Sequence, residues 1–110
     1  MTDWLITVPK TIVWSDYKKE LDAVADGSQV MNYRVRYIPK DMVVGDRCFI
    51  VYDGRVRGWM EIVGLQTADK AWQCTTTGDF WPAGKYIQRS GPFNEVDGPE
   101  MLGFRGVRKK

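Results

Sequence analysis

The sequence predicts an α+β fold: a small β-barrel of about five to seven strands with one or two covering helices. Three observations predict it. The dipeptide Asp53-Gly54 sits between two β-rich apolar runs, Cys48–Tyr52 and Val56–Val63. Asp-Gly in that setting signals a two-residue hairpin, because glycine accepts the positive φ of the tight turn. Short apolar runs recur along the whole chain between Gly, Pro and Asp punctuation. Only one stretch has a clear helical period, so no βαβ rhythm is present. Many short strands with one helix close most naturally into a small antiparallel or mixed barrel, with helices over its openings.

Trp4-Leu5-Ile6-Thr7-Val8 reads as the first strand, ended by Pro9, which cannot donate to a ladder. Ser15 is placed to cap a helix from Asp16 to about Ala25. Tyr17, Leu21, Val24 and Ala25 share one stripe of that helix. Lys18, Lys19, Glu20 and Asp22 fall on its polar face, and Gly27 is positioned to end it. Residues 28–40 have no clean period, and Pro39 disfavours a helical Ile38. Asp41–Val44 has room for a single helical turn, with Gly45-Asp46 turning into the hairpin. In the second hairpin strand, alternation puts Val56, Met60 and Ile62 on one side with Gly58. Arg57, Trp59, Glu61 and Val63 take the other. Gly58 inside a strand suggests a bulge or a close backbone approach. Ala71–Thr76 reads as a strand, Thr77-Gly78-Asp79 as a turn, and Trp81-Pro82-Ala83-Gly84 as a loop. Tyr86–Arg89 and Phe93–Val96 read as short strands around Ser90-Gly91-Pro92. Asp97-Gly98-Pro99 is a turn, and Leu102–Arg108 a closing strand.

At 110 residues the chain is expected to be a single domain, 1–110. Its apolar content of 44% argues against disorder. Formal net charge is +2, so distribution matters more than total. Arg34, Arg36 and Lys40 occur with no acid between them, and Arg105, Arg108, Lys109 and Lys110 close the chain. Both runs suit phosphate binding and suit a solvated rim equally well. The chain has no histidine, which excludes Ser-His-Asp and Cys-His catalysis and His-ligated zinc. Cys48 and Cys74 lie in apolar runs, too far apart for a CxxC site, so buried, reduced thiols are expected. No stretch is long enough to span a membrane and no signal-peptide pattern opens the chain. A cytoplasmic monomer without membrane contact, metal or cofactor is the expectation.

The segment Val30-Met31-Asn32-Tyr33-Arg34-Val35-Arg36 precedes Met42-Val43-Val44-Gly45-Asp46-Arg47-Cys48-Phe49-Ile50-Val51-Tyr52. Together they resemble the EVE-domain pattern, an "RNYQAR" segment followed by "M-x-x-GD-x-x-x-x-Y". Gly58-Trp59-Met60-Glu61-Ile62-Val63 is similar to that family's next strand, and Trp4–Val8 to its opening strand. The resemblance covers about residues 4–8 and 30–64. Met31 and Val35 depart from the pattern, and residues 81–106 lie outside it. EVE domains belong to the PUA-like barrels, with YTH and ASCH domains as relatives. The resemblance implies a PUA-like barrel that binds DNA or RNA and reads a modified base, of methylated cytosine or adenine type, flipped into an aromatic pocket.

A flipped base needs flat walls and a few fixed donors and acceptors for its edge. Asn32 offers both, and is equally suited to capping a turn. Tyr33, Trp14, Trp59 and Trp81 are candidate walls, each stack contributing about 1–3 kcal/mol. Trp14 and Trp81 stand in loop-like sequence and suit a cage. Trp4, Trp59 and Trp72 suit a core. Arg34, Arg36, Lys40, Arg105 and Arg108 are candidate phosphate contacts, a contribution that weakens with salt. Glu61 is expected either to pair with Arg57 or to face the pocket.

Two rival classes are also compatible with the sequence. ASCH-type amidohydrolases acting on N-acylated nucleosides resemble the chain in the barrel and the strand carrying Glu61. There Lys10, with Thr7 or Thr11, and Glu61 would be catalytic. Such a lysine needs burial to lower its pKa, and Lys10 follows Pro9 in an expected loop. The third class is a small protein-interaction regulator with an aromatic face.

Overall fold

The computed structural model describes residues 2–73, 78–96, 98 and 107–109. Within them the chain is mostly strand. A six-stranded sheet curls into a half-barrel, with one helix packed against it. The elements in order are β1 (Asp3–Val8), α1 (Trp14–Ala23), β2 (Met31–Val35), β3 (Arg47–Tyr52), β4 (Arg55–Ala68), β5 (Trp72–Gln73), β6 (Phe80–Trp81), β7 (Gly84–Glu95) and β8 (Val107–Lys109). The large sheet runs β2-β7-β4-β3-β1-β8, and β5 pairs with β6 in a separate ribbon. β1 and β3 are parallel; every other pair is antiparallel. A parallel pair needs a crossover. Here α1 and β2 supply it.

The hairpin forms as the Asp-Gly signal predicts. Asp53 and Gly54 both have positive φ, 51° and 73°. Such a turn matches the right-handed twist of the strands it joins. Gly58 fulfils both of its expectations. The β3–β4 register shifts between Ile50 and Val51, so Arg57 bulges beside it. A Cβ on Gly58 would also collide with the Phe93 ring and the Asn94 carbonyl oxygen. The bulge has a consequence that simple alternation misses. Val56 packs with Leu5, Phe49 and Val51, against Trp59. Met60 and Ile62 pack with Trp4, Ile6 and Ile50 in the main core. Val56 is therefore on the opposite face from Met60 and Ile62, because the extra residue shifts the alternation by one.

Helix α1 starts two residues earlier than expected. Val13, extended at φ −71°, ψ 129°, stands at its N-terminus with no side-chain cap; Ser15 lies inside the helix. The first turn closes through the Asp16 and Tyr17 amides, which donate to the Val13 carbonyl at 3.0 and 3.1 Å. The stripe of Tyr17, Leu21 and Val24 is buried, as its spacing predicts, while Ala25 is exposed. Burying Leu21 fully stabilises by roughly 1.5–3 kcal/mol. Gly27, at φ 81°, ends the segment and donates to the Val24 carbonyl.

Strand β7 replaces the two short strands expected around Ser90-Gly91-Pro92. Ser90 pairs with Glu61 and Asn94 with Trp59, so Gly91, Pro92 and Phe93 together oppose Met60. Proline is tolerated in such a bulge because no ladder bond needs its missing N–H. The Gly91 amide instead donates to Val24 at the end of α1, which ties the helix to the sheet. Trp81, expected in a loop, is in β6. Turns fall at residues 40–41 and 44–45, and 41–44 holds no helical turn. The expected strand at 71–76 is described over Trp72–Gln73, and the one at 102–108 over Val107–Lys109. Cys74, Thr77, Asp97, Pro99 and the rest of those two strands lie outside the described residues.

The Gly45-Asp46 pair has a structural role. Gly45 takes φ 101° and donates to the Ile62 carbonyl at 2.8 Å. Asp46 is 1% exposed. Its carboxylate accepts from the Thr2 amide (3.0 Å), the Trp4 indole N–H (2.9 Å) and the Val43 amide (3.0 Å). Burial pushes the Asp46 carboxyl up, but the Val43, Thr2 and Trp4 donors outweigh it and hold it below the ordinary aspartate range. One carboxylate thus joins the start of β1 to the loop before β3. Among the described residues, no helix is long and apolar enough to cross a membrane.

Candidate functional site

A cavity of about 210 Å³ opens beside the start of α1. Strand β2 forms one wall with Met31, Asn32 and Tyr33. The end of β1 adds Val8 and Pro9, and α1 adds Tyr17 and Glu20. Trp81 and Arg34 line it from the β6 side, and Arg89 of β7 completes it. Antiparallel pairing of β2 with β7 places Arg89 opposite Met31 and Gln88 opposite Asn32. Three of the five sequence-predicted base contacts, Asn32, Tyr33 and Trp81, therefore share one cavity.

Each is held in place by a partner. Gln88 Nε2 donates to Asn32 Oδ1 at 3.1 Å. The Tyr33 hydroxyl donates to the Thr7 carbonyl at 3.1 Å, and burial pushes its pKa up. Trp81 stacks on Trp72 at 6.1 Å and 21°, with Tyr86 edge-on to both. The Tyr86 hydroxyl donates to the Pro82 carbonyl, fixing the loop that carries Trp81. Fixed aromatic planes cost a ligand less ordering than mobile ones.

The cavity also holds a buried charge. Arg89 is 1% exposed. Its Nη1 donates to the Tyr17 hydroxyl at 2.8 Å, and its guanidinium lies 5.8 Å from the Tyr33 ring centre. Among the described residues, its Nε is buried with no acceptor, and so is Trp81 Nε1. Glu20 is only partly buried, and its carboxyl is pushed up by burial against the opposing pull of Arg89. The nearby Cys48 thiol is buried completely and pushed up to about 11, so it stays protonated at neutral pH.

Arg89, Tyr17 and Glu20 are the residues that sequence reasoning missed. Tyr17 reads as helix core and Glu20 as wet face. The signal for Arg89 is period-2 alternation: Ile87 is fully buried, and Arg89 two residues on must face the same way.

The other predicted residues lie elsewhere. Trp14 is the first residue of α1 and packs on Tyr17, Tyr52 and Phe93 at 5.2–6.2 Å, with Arg57 over it. It borders a shallow depression with Arg57, Glu95 and Val96. Trp59 packs on Phe49 beneath Arg47, and lines a separate groove with Glu61 and Val63. Glu61 is exposed; Arg57 donates instead to the Tyr52 carbonyl. Arg34 donates to the Ala83 carbonyl at 3.1 Å. With Arg36 and Lys85 it lines a shallow basic surface adjoining the cavity. Lys40 is exposed on the following loop. Arg108 is exposed on β8, at the far end of the strand order, and Arg105 lies outside the described residues.

Lys10 is exposed, as expected, and pairs with Asp53 at the hairpin tip at 3.0 Å. Thr11 is exposed beside it. Glu61 is six residues along β4 from its start at Arg55, roughly 20 Å of strand from the hairpin tip. The three groups of the hydrolase arrangement are not brought together. Among the described residues, no cluster of three or more Cys, Asp or Glu side chains could hold a metal ion.

Comparison with protein-family models, with curated proteins and with solved structures returns no match to this chain.

Proposed function

We propose that this chain is a nucleic-acid-binding module of PUA-like, EVE-type architecture, which reads a modified base flipped into the cavity between α1, β2 and Trp81. One observation carries the reading. Asn32, Tyr33 and Trp81 come from different elements and line one small cavity beside the basic surface of Arg34, Arg36 and Lys85. The roles divide by chemistry. Asn32 meets the base edge with its amide, while its own orientation is set by Gln88. Tyr33 and Trp81 supply the flat walls. Arg34 and Arg36 meet the flanking phosphates. Lys40 extends that basic run. The cavity holds one base, so the rest of the strand stays on the surface. The module works as a cytoplasmic monomer and catalyses nothing.

The exposure of Lys10, and its distance from Glu61 along β4, give the hydrolase reading no comparable support. The test is a titration with single- and double-stranded DNA and RNA oligonucleotides, unmodified and carrying methylated cytosine or adenine. The expected result is modification-dependent binding, weakened about tenfold or more in Asn32→Ala and Trp81→Ala. Trp14→Ala serves as the control, because Trp14 borders a different depression. No binding to any oligonucleotide would overturn the proposal. Binding that ignores both modification and the two variants, and simply falls with salt, would leave only a basic surface.

A further inference from the structure

We infer that the cavity takes a heteroaromatic ligand bearing an anionic carboxylate, with the carboxylate seated on Arg89 and Trp81 and the ring against Tyr33. The inference rests on the preceding reading for the cavity's being the binding site, and adds the chemical class of what enters it. In nucleic acid that class is a base with a carboxyl substituent.

Two observations converge on it. The first is the charge. Arg89 is 1% exposed, and among the described residues it forms no ion pair. Its hydrogen-bond partner is a neutral phenol, Tyr17. Glu20 attracts it from the same cavity without forming an ion pair, and a buried charge with no bonded counter-charge is costly, so such groups are paired or meet a ligand. The second is the pattern of unmet groups. Among the described residues, Arg89 Nε, Trp81 Nε1 and Trp72 Nε1 are buried without an acceptor, and the first two belong to residues that line the same cavity. Both are donors. The missing partner is therefore acceptor-rich. A carboxylate has two oxygens and no donor, and its plane matches the guanidinium fork. A carboxamide of the same shape brings one acceptor, two donors and no charge. Tetrahedral phosphate matches the flat walls less well and would bring more negative charge towards Glu20.

Glu20 sharpens the expectation. It lines the same cavity, so its carboxylate opposes an incoming anion. Removing that charge should favour the acid ligand and leave its amide unaffected.

The test uses the whole chain and a matched pair of small probes, 6-carboxyuracil (orotate) and its carboxamide, followed by tryptophan quenching and calorimetry. Orotate is expected to bind about tenfold tighter than the carboxamide. Arg89→Met, which removes the charge, should remove that preference. Because a variant at a buried arginine risks unfolding, Glu20→Gln provides the second arm. It should tighten orotate several-fold and leave the carboxamide within twofold. Equal affinity for acid and amide in the wild-type protein, or no saturable binding of orotate, overturns the inference. Oligonucleotides carrying 5-carboxylcytosine or 5-methylcytosine separate the two proposals. Preference for the carboxyl base supports both. Equal binding of the two bases overturns the inference and leaves base reading intact. Orotate binding without any oligonucleotide binding overturns base reading and leaves the inference standing for a free carboxylate.

Discussion

Asp46 and Arg89 are both 1% exposed, yet they stand at opposite ends of hydrogen-bond satisfaction. Asp46 meets three donors from two segments, and no cavity is lined by it among those described. Among the described residues, Arg89 has one phenolic acceptor and an orphan Nε, and it lines a cavity. A buried charge with its partners complete holds segments of chain together. A buried charge with partners missing, beside open space, leaves interaction energy for something that arrives.

The largest expected effect breaks the Asp46 half of that contrast. Asp46→Ala leaves the Thr2 amide, the Trp4 indole and the Val43 amide without their acceptor, at a cost of about 3 kcal/mol. Urea denaturation measures it, and a cost below about 1 kcal/mol would mean water replaces the carboxylate. The same group gives a pH signature. Its folded-state pKa lies below the ordinary value, so its stabilisation is fully present above about pH 4 and is lost as pH falls through the folded value. Asp46→Asn should therefore flatten the acid limb of a stability–pH curve below about pH 4.

Two tryptophans extend the contrast to apolar groups. Trp14 fills space between α1, Tyr52 and Phe93, and its replacement by Ala should cost about 2–3 kcal/mol of stability. Oligonucleotide affinity should not change. Trp81→Ala should do the reverse where it matters, weakening base binding by about 1–3 kcal/mol. If Trp14→Ala weakens binding as much, the cavity has been assigned to the wrong side of the helix.

Arg89→Met tests the other half directly. Loss of the charge's desolvation cost offsets loss of the Tyr17 bond, so stability should stay within about 1.5 kcal/mol of the wild type. Binding should be lost. A loss of 3 kcal/mol or more in stability would make Arg89 a structural group like Asp46. Lys10→Ala should do least. Its pair with Asp53 is mostly exposed, worth at most about 0.5 kcal/mol. Hydrolysis of N-acetylated cytidine by the wild type and its loss in Lys10→Ala would establish the enzyme class instead.

What the sequence by itself determined is local. Asp53-Gly54 specifies its hairpin because two consecutive positive φ values suit few other residue pairs. The burial of Tyr17, Leu21 and Val24 follows from helical spacing, and the bulge at Gly58 from a missing side chain within a strand. β1 is legible because it is short, apolar and stopped by Pro9. Asn32, Tyr33 and the basic run beside them were also legible as candidates.

Tertiary structure alone decided which candidates meet. One bulged residue moves Val56 to the other face, and one wide bulge makes β7 a single strand through Pro92. The parallel pairing of β1 with β3 depends on a crossover through α1 and β2. Trp14 and Trp81 look alike in sequence, yet one packs into the framework and the other lines the cavity. Arg89 becomes a buried, half-satisfied charge only because β7 pairs with β2 beneath α1. The physical reason is range. Turn geometry, helix spacing and chain breaks act over a few residues, whereas the company a side chain keeps depends on strand register between segments dozens of residues apart.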